Sequence, residues 1–158
     1  MNPISSLLTP AHVALDVHAT DKKALFERIG GLLDGSAGLS RAQVVDSLMV
    51  RERLGSTGLG QGIAIPHGRV KGLRDALGAF LRLDPALPFD APDGRPVTLV
   101  FVLLVPDRAT DLHLQILSEL AQMFSDREFR SKLAAAPDAL SAQRLIAGWE
   151  ASASNPKP

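Results

Sequence analysis

Histidine 67 stands directly behind a proline, within the stretch GLGQGIAIPHGR that runs from Gly58 to Arg69. Pro66 fixes its own φ and biases Ile65 toward extended backbone, so the imidazole is held by a stiff segment rather than a free loop. Upstream, Arg51 falls in the last turn of an expected helix. Downstream, His113 falls in the first turn of another. An imidazole, a guanidinium and a second imidazole at a helix N-terminus together suit a small dianion, and a phosphoryl group is the ligand that fits. Neutral imidazole, with an ordinary pKa of about 6.5, is a competent nucleophile near neutrality. One ring nitrogen can attack phosphorus while a hydrogen bond on the other fixes the tautomer. Arg51 and backbone amides near His113 can take up charge on the transferring group.

Other chemistries fit less well. Gly55 to Gly62 reads GSTGLGQG, with Ser56, Thr57, Gly58 and Gly60 as candidates for a loop that cradles the phosphoryl group. A dinucleotide fingerprint should follow a strand and open a helix, whereas this loop follows a helix and opens a strand; no GK[ST] completes a P-loop. Ser56 lacks the GxSxG elbow of a serine hydrolase. Asp75, Asp107 and Asp111 could join His67 and His113 around a metal, but no H-E-x-x-H or equivalent spacing occurs, which counts against a metal site. The sequence contains no cysteine, which removes disulfides, thiolate ligands and cysteine nucleophiles together.

The elements that must position these residues follow from periodicity and punctuation. VALDVHA (Val13 to Ala19) alternates as a half-buried strand, with His18 facing away from Val13, Leu15 and Val17. A helix from about Thr20 or Asp21 carries Leu25, Ile29 and Leu32 on one stripe and stops at Gly35. Ser40 and Gln43 form a capping box for a second helix, with Val44, Val45, Leu48 and Met49 as its apolar face and Gly55 as its close. Gly55 to Gly62 is expected to be irregular and IAI a short strand. Ala76 to Leu83 and Val97 to Pro106 are expected strands, the second apolar throughout and therefore covered on both faces. The segment between them reads as a turn-rich connection.

The remainder is expected to be helical. Thr110 or Asp111 caps a helix with Leu112, Ile116, Leu117, Leu120 and Phe124 inward and His113 exposed. Ser125 and Glu128 read as a second capping box, and a last helix runs from about Asp138 to Trp149. Residues 4–150 thus make one α/β domain, a sandwich with a small mixed sheet and helices on both sides, and residues 151–158 have the composition of a disordered tail.

Bulk properties agree with a single small globular domain. The 158 residues are 46% hydrophobic, and 17 basic side chains balance 17 acidic ones, so no global field favours nucleic acid or an anionic membrane. No apolar run is long enough to span a bilayer, and MNPISSLLTP lacks the basic start of a signal peptide. A cytoplasmic location is expected, with no nucleic-acid partner and no membrane insertion.

RERLGSTGLGQGIAIPHGR resembles the active-site region of the IIA components of the bacterial phosphotransferase system, in the fructose and mannitol class, and most closely the nitrogen-related regulatory branch. FDAPDGRPVTLVFVLLVP and HLQILSELAQMF resemble later blocks of the family in the same order, so the likeness covers about Ile4 to Trp149. The resemblance implies a mannitol-IIA-like sandwich, His67 as phosphoryl acceptor, Arg51 and His113 lining its site, and no metal or organic cofactor. It also implies a histidine-phosphorylated, HPr-like donor, and as output the control of a target such as a transporter or sensor kinase in nitrogen- or potassium-related metabolism. In sugar-transporting members a IIB domain takes the group on a cysteine and a membrane IIC domain moves the sugar, and this sequence is expected to contain neither. A sugar-specific IIA serving a separate IIB chain and a binding module that is never phosphorylated are the alternatives. An apolar docking rim is expected around His67, formed by Leu59, Ile63 and Leu114.

Overall fold

A computed structural model describes residues 4–108 and 111–150. In chain order the elements are β1 Val13–Val17, α1 Lys22–Leu33, α2 Arg41–Glu52, β2 Gly58–Gly60, β3 Ile63–Ala64 and β4 His67–Val70. They continue with β5 Leu77–Leu87, β6 Val97–Pro106, α3 Asp111–Ser125, α4 Arg127–Ala135 and α5 Ala139–Gly148.

The sheet is mixed, in the order β1-β5-β6-β3-β2, and β4 also pairs with β6. Strand β6 is the axis of the molecule. It runs antiparallel to β5 and parallel to both β3 and β4, which lie in line along its other side. Pro66 separates those two short strands, and its carbonyl still accepts a hydrogen bond from the Leu103 amide at 3.0 Å, so the line of pairing continues past the break.

Side chains of β6 alternate between two cores, as period-2 geometry requires. Val100, Val102 and Leu104 join the α1 and α2 side, where Phe26, Ile29, Val44 and Leu48 are buried. Leu99, Phe101, Leu103 and Val105 join the other side, with Ile116, Leu120, Phe124, Leu133 and Ile146 from α3, α4 and α5. Helices therefore cover both faces, as the continuous apolar run predicts. Arg82 of β5 ties the second layer down, its guanidinium donating to the carbonyls of Leu133, Ala134 and Ala136 where α4 ends.

Local signals place most helix ends. Asp21 caps α1, Gly35 follows it with φ of 86°, and the Ser40–Gln43 box opens α2 with both reciprocal bonds made. The stiff segment that holds His67 is the start of strand β4. Three expectations need correction. The glycine-rich segment is not wholly irregular, because its extended part pairs with β3 as β2. Strand β5 continues through Pro85 to Leu87, with a slip of register against β6 beyond Arg82, and such an irregularity is where a strand tolerates proline. Ser125 does not cap α4: it closes α3, donating to the Gln122 carbonyl, while the Asp126 carboxylate accepts from the Phe129 amide at 3.1 Å. A capping aspartate next to the serine serves equally well and has the right register. Thr110 and the segment 151–158 lie outside the described residues, as does the side chain of Leu112.

Candidate active site

Helix α2 delivers Arg51 and strand β4 delivers His67, so the site depends on how closely these two elements approach. Gly68 allows the contact. A Cβ on that residue would lie 2.9 Å from the Ser47 carbonyl carbon, so only a bare backbone fits beneath the helix. One turn further along α2, Arg51 Nη1 donates to the Gly55 carbonyl at 2.8 Å and Nε faces His67 Nε2 at 3.2 Å.

That last contact settles the tautomer. Arginine has only donors, so Nε2 must offer its lone pair and the ring proton must sit on Nδ1. Nδ1 lies 2.9 Å from the Ile65 carbonyl oxygen and donates to it across the proline. His67 therefore holds one nitrogen tied to its own backbone and the other, unprotonated, turned toward a cation. Burial pushes its pKa below the ordinary 6.5; the Ile65 carbonyl opposes this, Arg51 adds to it, and Glu52 opposes it. The ring is neutral at pH 7.

His113 meets His67 edge to face, with ring centroids 5.5 Å apart and planes at 68°. It is buried, only 8% exposed, which corrects the expectation of an exposed first turn. The reason is register: His113 stands three residues before Ile116 and seven before Leu120, both buried, so it belongs to the inward stripe of α3. Neither of its ring nitrogens has a hydrogen-bond partner among the described residues. Burial lowers its pKa first, and the charges of His67 and Arg69 lower it further. A buried donor without a partner costs free energy, so the pair of rings is poised for an incoming acceptor.

A cavity of about 620 Å³ opens beside these groups, lined by Arg51, His67 and His113 together with Arg69, Lys71 and Ser47. Arg69 and Lys71 add positive charge that the sequence reading did not assign; their signal was alternation, since both share the His67 face of β4 and its extension. Val50 and Leu54 line the same opening and are exposed, 59% and 81%. They supply apolar rim in place of Ile63, which is buried in β3; Leu114 is exposed beside His113, and Leu59 is exposed on β2.

The four loop residues have other partners. Thr57 donates through its hydroxyl to Glu52 at 2.6 Å and through its amide to the other Glu52 oxygen at 3.1 Å, while Lys22 pairs with Glu52 at 2.9 Å. Ser56 donates to the Phe89 carbonyl and accepts from the Gly58 amide. Gly58 lies against Ala91, and Gly60, with φ of 96°, lies against Asp93. None of Ser56, Thr57, Gly58 and Gly60 is among the residues that line the cavity. Thr57 fastens the segment to the end of α2, next to Arg51, and the other three fasten it to the connection between β5 and β6. Among the described residues, no group of three or more His, Asp or Glu side chains is placed to hold a metal ion.

Set beside known proteins, residues 6–148 match the family model described as phosphoenolpyruvate-dependent sugar phosphotransferase system, EIIA 2. The chain belongs to this family. It is 40% identical over 144 residues to a nitrogen regulatory protein of Pseudomonas aeruginosa, covering 90% of this chain and 94% of that one. The crystal structure of the nitrogen regulatory protein IIA-Ntr from Neisseria meningitidis superposes with a TM-score of 0.87 at 47% identity, covering 92% of this chain and 99% of the other. The mannitol IIA of Escherichia coli, at 21% identity, shares the fold with a TM-score of 0.74, covering 88% and 98%. The chain is thus a phosphotransferase-system component with a mannitol-IIA-like α/β fold. No described helix is long and apolar enough to cross a membrane.

Proposed function

We propose that the protein is a regulatory phosphoryl carrier that accepts its group on Nε2 of His67 from a histidine-phosphorylated, HPr-like donor. The observation that carries this reading is the single tautomer of His67, with Nδ1–H committed to the Ile65 carbonyl and the Nε2 lone pair facing Arg51. In the transfer, the N–P bond of the donor breaks as the bond between phosphorus and Nε2 forms, and the proton on Nδ1 stays where it is. Arg51 Nε–H, displaced from Nε2, turns to a phosphoryl oxygen, and an N–H of His113 supplies a second donor for the charge on the equatorial oxygens. Arg69 and Lys71 raise the local concentration of an anionic donor.

The adduct places a dianionic phosphoryl group on a ring that keeps its Nδ1 proton, a net gain of about one negative charge concentrated at the cavity mouth, enough to change which surfaces the mouth attracts without refolding the domain. The names of the relatives at 40% and 47% identity favour nitrogen-linked regulation as the output; a transporter or sensor kinase is the class of target in this proposal. Intact-mass measurement after incubation with phosphoenolpyruvate, the first enzyme of the relay and the donor protein tests the reading. The wild type should gain one acid-labile phosphoryl group and His67→Ala none. A gain in both, or in neither, refutes it. Rapid onward transfer to a IIB cysteine would replace the regulatory output by a sugar-specific one.

A further inference from the structure

A second opening, of about 710 Å³, lies far from His67 along the sheet, where edge strand β1 ends and α1 begins. Two guanidiniums line it, those of Arg28 on α1 and Arg41 at the start of α2. Neither has a hydrogen-bond or ion-pair partner among the described residues, in contrast to Arg82, which binds Asp16 and three carbonyls. Gly31 makes the arrangement possible. A Cβ there would lie 2.6 Å from Arg41 Nη2, so the guanidinium rests on bare helix backbone one turn from Arg28.

The rest of the lining divides by chemistry. His18 and Thr20 stand on the turn after β1, and Glu27 faces the same space from α1, giving an imidazole, a hydroxyl and one carboxylate at the rim. Ala14, Leu32 and Leu81 form an apolar floor. A volume of several hundred Å³ with an apolar floor and a few convergent polar groups is the usual form of a small-molecule site.

We infer that this cleft binds a nucleoside monophosphate, with the phosphate held between Arg28 and Arg41 and the base laid on the floor formed by Ala14, Leu32 and Leu81. Two guanidiniums recognise a phosphate by paired, charge-assisted hydrogen bonds. The Glu27 carboxylate accepts from ribose hydroxyls and disfavours a longer polyphosphate, whose extra charge would be driven against it. The proposal does not depend on whether His67 is phosphorylated.

The test is a titration of the full-length protein with adenosine 5′-monophosphate, followed by amide chemical shifts. Saturable shifts are expected at Ala14, His18 to Thr20 and Gly31, with ribose 5-phosphate and inorganic phosphate binding at least several-fold more weakly. Arg28→Gln combined with Arg41→Gln should weaken binding by roughly tenfold or more. Gly31→Ala tests the geometry separately: it improves helix propensity, so the fold is retained, yet it pushes Arg41 off its seat and should also weaken binding. Absence of saturable shifts would overturn the inference, as would shifts confined to the residues around His67, equal binding of ribose 5-phosphate, or undiminished binding by the double variant.

Discussion

At the level of single residues, the site is defined by which nitrogen of His67 is free. The Arg51 contact at 3.2 Å and the Ile65 contact at 2.9 Å leave one answer, and under the proposed function Arg51 would have two successive tasks, holding Nε2 and then the group bound to it. Arg51→Ala should therefore slow phosphoryl acceptance by roughly a hundredfold, as loss of one preorganised charge-stabilising donor does, while the mass of the final adduct is unchanged. Rapid-quench transfer from the phosphorylated donor measures it. An unchanged rate would show that the guanidinium does not reach the transition state. Proline stiffness and residue type made His67, Arg51 and His113 legible in the sequence. The burial of His113 was not, because its polarity masked its place on the stripe of Ile116 and Leu120. Nor were the partners of Ser56 and Thr57, which depend on Glu52 and on Phe89, brought beside them by a fold that no local pattern announces.

Among the elements, the decisive contact is α2 on β4. Because a Cβ at Gly68 would meet both the Ser47 backbone and its hydroxyl below 3.0 Å, Gly68→Ala must lift the helix or bend the strand. Overpacking of this kind costs about 1–3 kcal/mol and should also lengthen the reach from Arg51 to His67. Thermal unfolding and the transfer assay should show a lowered midpoint and a slower reaction together; a normal midpoint with normal transfer would mean that the two elements slide apart freely. Periodicity and caps disclosed α1, α2, β5, β6 and the helical second half. They failed for β2 and β4, since strands of three or four residues are defined by pairing with β3 and β6 rather than by any alternation of their own. They also misplaced the start of α4, where two adjacent capping residues competed.

For the molecule as a whole, buried neutral imidazoles make stability depend on pH with a definite sign. Burial lowers the folded-state pKa of His67, His113 and His12 below the ordinary 6.5. Between those lowered values and 6.5 the unfolded chain binds more protons than the folded one, so stability is intact above about pH 6.5 and declines as the pH falls through that window. The unfolding midpoint should be flat from neutrality upward on this account and drop on acidification, and His113→Gln should lessen the drop. An identical acid response in wild type and variant would assign the loss to other groups. The sheet has one more consequence. The strand bearing His67 is bonded residue for residue to β6, whose side chains are enclosed on both sides. Under the proposed function, loading the ring would change charge at the mouth while the framework behind it stays put, so the message would be local. Any receptor that distinguishes the two forms has to sit over that mouth, and one that grips only the α4 and α5 flank will be blind to the difference.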